Sequence, residues 1–254
     1  MLRSTAWLSI LITVLGFIII SSGRLYAGAI SDQMISAAEL GEIDKVKGLL
    51  DQGVPPEARN QDGWTALMKA SYEGHENIVR ELIVRGADAD AQENAGWTSL
   101  MMAAQFGHRE IVKLLLKGGA RLDIQNGSGA TAVIFAALNG HRRVLADLQP
   151  GPAVVNMRDN NGKTALIFAV AGGYDNVVKQ LISFGADVNV KDKERNTALI
   201  IAAKLGHVAV VKTLLAHCAD VRATDNQGKT ASKWAVEKQQ TKIFQLLVSA
   251  PLCN

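Results

Sequence analysis

Gly162-Lys163-Thr164, inside "NNGKTALIFA" (residues 160 to 169), and Gly228-Lys229-Thr230 carry the residue types that end a phosphate-cradling loop. In such a loop a first glycine turns the backbone so that several N–H groups face one phosphate chain, and it stands five places before the second. Met157 and Ala223 stand at those places. The spacing therefore excludes nucleotide binding by this motif, and the triplets need another origin.

That origin is periodicity. Thr65, Thr98, Thr131, Thr164, Thr197 and Thr230 stand 33 residues apart, and Ala70, Ala103, Ala136, Ala169, Ala202 and Ala235 keep the same step. "GKT" is thus one filling of a slot that elsewhere reads "GWT", "GAT" or "RNT". Within one period, residues 63 to 92, Thr65 caps a first helix whose Leu67, Ala70 and Ser71 face inward, and Gly74 ends it. His75 opens a second helix with an apolar stripe of Ile78, Val79, Leu82 and Ile83, and Gly86 ends that one. A turn or hairpin rich in Gly, Asp, Asn and Ala leads to the next pair. Two short helices cannot bury their stripes alone, so stacking on neighbours is what stabilises each unit. Leu49, Leu82, Leu115, Leu148, Leu181, Leu214 and Leu247, again 33 apart, are the expected buried rib.

"GWTALMKASYEGHENIVRELIVRGADADAQ" resembles the ankyrin repeat, with "TALM" and "TALI" in the place of its T-P-L-H signature. The resemblance spans residues 31 to 254 and implies an all-α repeat fold, an ankyrin-repeat solenoid of helix-turn-helix units joined by hairpin loops. The expected organisation is a signal peptide or uncleaved anchor over 1–29, a capping repeat over 30–61, five repeats over 62–224 and a second capping repeat over 225–254. Both end units read as polar lids. In "DLQPGPAVVNM" (147 to 157), Pro150 must end the second helix early, which predicts a hinge or an altered stacking angle.

The start, "MLRSTAWLSILITVLGFIIISSGRLYAGA", places Arg3 before an apolar run from Ala6 to Ile20 and small residues up to Ala29. This is a secretory signal pattern, with cleavage after Gly23 or Ala29 and a periplasmic or secreted product. The alternative is membrane anchoring by residues 6–20. Cys218 and Cys253 fall near each other on neighbouring units, so an oxidising compartment allows a disulfide between them. Charge is uneven: residues 30 to 125 hold 10 basic and 15 acidic side chains, net −5, and residues 126 to 254 hold 15 and 9, net +6.

His75, His108, His141 and His207 share one repeat slot, filled by Tyr174 in the fifth unit. Neighbouring slots in a stack lie about 8–10 Å apart, too far for two of these residues to ligate one ion, so no metal site is expected and the histidines read as polar closure of the turn. Neither a converging nucleophile and base nor a further domain is left for catalysis, so the chain reads as no enzyme and without cofactor. Asn126-Gly127-Ser128 matches a glycosylation acceptor and reads as a turn.

The resemblance implies that a protein partner is held on the hairpin tips and first helices, the concave face. Those slots hold Trp64, Tyr72, Trp97 and Phe106 as aromatic anchors, then Arg158, Lys163, Lys191 and Lys204 as a basic stretch. For the tryptophans, packing over their own hairpins stands beside the anchor reading. Trp234 reads as cap packing. A monomeric scaffold is the first expectation. Electrostatic attachment of the basic half to nucleic acid or a membrane surface is the alternative, and alternation of the lysines with Asp187, Asp192 and Glu194 counts against it.

Overall fold

The computed structural model describes residues 29–251, so residues 1–28 and Cys253 lie outside the described part. Two compact units divide it, one ending at Asp88 and the other beginning at Ala89. The first holds α1 (29–39), α2 (Ile43–Asp51), α3 (Ala66–Glu73) and α4 (Glu76–Val84). In the second lie α5 (Ser99–Phe106), α6 (Arg109–Lys117), α7 (Ala132–Leu138), α8 (Arg142–Leu148), α9 (Pro152–Val155), α10 (Ala165–Ala171), α11 (Asp175–Ser183), α12 (Ala198–Leu205), α13 (Val208–Ala216), α14 (Ala231–Glu237) and α15 (Thr241–Val248).

The threonine slot starts the first helix of each pair. Hydroxyls of Thr65, Thr98, Thr131, Thr197 and Thr230 accept from the backbone N–H three residues on, at 3.2 to 3.4 Å. Each satisfies one N–H that a helix start leaves without a partner. Thr164 precedes α10 in the same way, but its hydroxyl is buried and makes no bond. Gly74, Gly107 and Gly206 end α3, α5 and α12 in the left-handed conformation.

Within the second unit, first helices pack in the order α5, α7, α10, α12, α14, and second helices in the order α6, α8, α11, α13, α15. The alanine slot makes this close approach possible, since Ala103, Ala136, Ala169, Ala202 and Ala235 are all 0% exposed. Leu115, Leu148, Leu181, Leu214 and Leu247 are buried along the second layer, as are Leu49 and Leu82 in the first unit. Each such leucine contributes roughly 1.5–3 kcal/mol by leaving water.

Pro150 acts where the sequence places it. Helix α8 stops at Leu148, Gln149 turns left-handed at φ 43°, Pro150 is buried, and the one-turn α9 follows. Nevertheless α8 packs on α6 on one side and α11 on the other. What changes here is the connection, because the stripe of Val144, Leu145 and Leu148 is complete before the chain breaks.

The C-terminal pair departs from the polar lid read from sequence. Val236, Phe244 and Val248 are 58%, 38% and 68% exposed. Phe244 stands one period after Val211 and two after Val178, both 0% exposed. The next helix pair covers that position in the interior, whereas at α15 the same apolar position faces outward.

Candidate partner-binding face

Six hairpins share one tie. The side chains of Asn60, Glu93, Asn126, Asp159, Asp192 and Asp225, 33 residues apart, each accept from the backbone N–H groups two and four residues on, at 2.7 to 3.0 Å. Asn126 is therefore turn chemistry, as its sequence context indicates. In the second unit successive hairpins also bond to each other: Gly127 N to Ala95 O, Asn160 N to Ser128 O, Lys193 N to Asn161 O and Asn226 N to Glu194 O, at 2.8 to 3.0 Å. The result is a continuous hydrogen-bonded edge beside the first-helix layer.

A side-chain ladder reinforces that edge. Gln92 donates to Gly96 O at 2.7 Å and to Gln125 O at 3.2 Å, and Gln125 donates to Gly129 O at 2.5 Å and to Arg158 O at 2.9 Å. Arg158 continues it, with Nε on Gly162 O at 3.0 Å and Nη2 on Lys191 O. The guanidinium proposed from sequence for partner binding is thus engaged in joining two hairpins. Lys191 occupies the next rung, and its ammonium makes no such bond among the described contacts.

The aromatic candidates divide. In the first unit Trp64 is half-buried, with Lys69 Nζ 4.5 Å from its ring centre and Tyr72 edge-on at 6.4 Å. In the second, Trp97 is half-buried and stacked on Phe135 of the next repeat, centroids 4.3 Å apart and planes 26° apart. Both tryptophans therefore combine packing with a solvent-facing remainder. Tyr72 and Phe106 project further, at 39% and 42% exposure. Leu138 and Leu205, at the ends of α7 and α12, are 41% and 51% exposed. With Phe106 at the end of α5, they form an apolar row along the packed first helices, interrupted at α10 by Ala171 and Gly172.

The lysine candidates differ as well. Lys163 Nζ lies 6.0 Å from the Phe168 ring centre. Lys204 donates to Asn196 Oδ1 at 2.7 Å, pairs with Asp225 Oδ2 at 3.4 Å and lies 4.3 Å from the Trp234 ring centre. Lys229 Nζ lies 4.2 Å from the same ring centre, and the Trp234 indole donates to Asp225 Oδ2 at 2.7 Å. Trp234 is packing in the terminal repeat, held by a buried carboxylate that motif reading passed over. Burial pushes the Asp225 carboxyl up, but the Lys229 amide, the Trp234 indole, the Gln227 amide and the Lys204 ammonium outweigh it and hold the pKa below the ordinary aspartate value.

Three histidines of the shared slot join neighbouring repeats. His75, His141 and His207 Nε2 donate to the carbonyls of Glu39, Gln105 and Ala171, 36 residues earlier, at 2.9 to 3.2 Å. Each ring lies against a glycine of the preceding repeat. A Cβ added to Gly107 would come 2.9 Å from the His141 ring, and one added to Gly173 would come 2.9 Å from His207.

Paired helices in two layers, a 33-residue step and hairpins projecting beside the first layer define an all-α repeat protein. The family model described as ankyrin repeats (3 copies) matches residues 34–126, 118–192 and 172–254, and the chain belongs to the ankyrin-repeat family. No curated protein matches it. Ankyrin repeats are generally protein–protein interaction modules and are typically non-enzymatic.

Proposed function

We propose that this protein is a non-enzymatic scaffold that binds a protein partner on the first-helix and hairpin face. The observation that carries the reading is the row of Phe106, Leu138 and Leu205, large apolar side chains left in water by helices that otherwise bury their apolar residues. Apolar area of this kind is recovered when a partner covers it. Tyr72, Trp64 and the open edge of Trp97 offer further aromatic contact within their own units. Attachment by general positive charge is the weaker account, because Lys179, Lys204 and Lys229 are paired with Asp175, Asp225 and Glu237. Replacing Phe106 and Leu138 together by Glu is expected to weaken partner binding about tenfold or more with the unfolding midpoint little changed. Unchanged affinity would remove the face assignment.

The site of action we propose is the periplasm or the exterior, reached by a leader within residues 1–29. Mass spectrometry of the mature protein should find Arg24 or Ile30 at the N-terminus, and a retained Met1 would support the anchored alternative. Among the described residues no helix is long and apolar enough to cross a membrane. A Cys218–Cys253 disulfide belongs to the same proposal. Its support is that Cys218 takes φ 60° in the slot where Gly53, Gly86, Gly119 and Gly185 stand with positive φ, which gives up a glycine for a thiol. Two free thiols on a non-reducing peptide map of the secreted protein would exclude the bridge.

A further inference from the structure

Two neighbouring hairpins of the second unit, residues 159–163 and 191–196, differ from the rest in charge. Lys163, Lys191, Lys193 and Arg195 lie on them, and among the described contacts no carboxylate pairs with any of the four. Some surface cations elsewhere are tied, as in Arg85 with Asp51 and Glu81, Arg109 with Asp147 and Arg121 with Asp123, and others, such as Arg142, Lys212 and Lys238, are not; what sets these four apart is their clustering on adjacent hairpins. Asp159, Asp192 and Glu194 offset part of this charge while accepting from their own hairpin amides, and with Arg158 the two hairpins keep five cations against three carboxylates, net +2. A groove between the hairpins is lined by Arg158, Asp159, Asn160, Gly162, Asp192 and Lys193.

Arg195 adds an independent observation. It adopts φ 62°, whereas the same slot holds glycine in the other hairpins, Gly63, Gly96, Gly129, Gly162 and Gly228, all with φ between 69° and 83°. An L-residue is penalised in this conformation and glycine is not. The fourth hairpin of the second unit therefore carries a cation where the fold favours glycine, and a residue held against local preference points to a use outside the fold.

We propose that these two hairpins dock an extended acidic segment of the partner protein. The proposal rests on the reading of the protein as a partner-binding scaffold and names the chemistry of what that scaffold grips. Adjacent repeats are spaced by about 8–10 Å, and an extended chain advances about 3.3 Å per residue. Carboxylates three residues apart thus meet Lys163 on one hairpin and Lys191, Lys193 or Arg195 on the next. The Asn161 side-chain amide on the first of these hairpins supplies hydrogen-bonding groups for the intervening peptide, while Asn160 Nδ2 is already bonded to Gly127 O at 3.0 Å. A nucleic acid is a poorer occupant, since a polyphosphate chain needs a long cationic track. Here the track is two hairpins wide: the hairpin 126–130 on one side is uncharged, and in the hairpin 225–229 on the other Lys229 is paired with Glu237.

The test titrates a fluorescein-labelled ten-residue peptide with Asp at every third position into the full chain, beside a single-stranded DNA oligomer of equal charge and phosphatidylglycerol vesicles. Binding of the peptide that weakens about tenfold or more in K191E/K193E and severalfold in R195G is the expected result, with loss on raising salt. R195G should at the same time raise the unfolding midpoint, so a folding defect cannot account for its loss of affinity. No peptide binding, equal binding by K191E/K193E, or preference for DNA or vesicles over the peptide would overturn the proposal. Phe106→Glu with Leu138→Glu should leave this peptide's affinity intact while weakening binding of the partner protein about tenfold or more, which separates failure of the acidic dock from failure of the scaffold reading.

Discussion

Asp225 shows what one buried carboxylate contributes. Its pKa is held below that of an unfolded aspartate, so its stabilisation is fully present above the unfolded value and is lost as pH falls through the folded one. Acid titration of the folded protein, followed through Trp234 fluorescence, should show the terminal repeat loosening only below about pH 4. Asp225→Asn keeps an acceptor for the hairpin N–H groups, as Asn60 and Asn126 do, but turns an amide N–H₂ toward the Trp234 indole and Lys204. That clash of donors should cost about 1–3 kcal/mol. Thr131 and Thr164 offer a paired comparison: valine at 131 removes a cap bond and should cost about 0.5–2 kcal/mol, while at 164 no bond is lost and the cost should be smaller. Arg195→Gly should stabilise by about 0.5–1 kcal/mol, the difference between a left-handed arginine and the entropy of a freer glycine. The 33-residue step already marks all of these slots in the sequence. It does not reveal that Trp97 stacks on Phe135 or that Arg158 bonds two carbonyls, because side-chain direction across repeats depends on the stacking itself.

Between elements, the histidine–glycine contact carries much of the register. Gly173→Ala adds a Cβ 2.9 Å from the His207 ring at a residue with φ 70°. A cost of about 1–2 kcal/mol for the left-handed conformation alone is expected, and more with the ring in place. In a His207→Ala background the additional part should vanish, so a double-mutant cycle by denaturant unfolding should give a clear coupling energy. Additive costs would show that ring and glycine do not meet. Helix starts, helix ends and the leucine rib were legible from Thr, Gly and the apolar period, because each reflects local backbone chemistry. Pro150 was legible as a stop for α8, yet the packing of α8 on both neighbours was not, since it depends on a stripe already complete at Leu148. The exposed Phe244 and Val248 were missed because sequence marks them as apolar in register and says nothing of what covers them.

At the scale of the molecule, the two compact units carry opposite charge. Residues 30–88 hold 6 basic and 11 acidic side chains, net −5, and residues 89–254 hold 19 and 13, net +6. A partner's association rate should therefore fall as salt rises, more steeply than its dissociation rate changes. The family, its helical repeat and its general role in binding follow from period and fold, while the exposed row and the hairpin cations are where we propose the partner is held. The most direct test of that account is affinity capture from the organism's own cell-envelope extract, comparing the full chain with a Phe106→Glu, Leu138→Glu, Leu205→Glu variant of matched unfolding midpoint. The account predicts one defined protein retained by the native chain at high salt and lost from the variant. The same protein retained equally by both would contradict it, and would place the binding surface elsewhere than on the first-helix face.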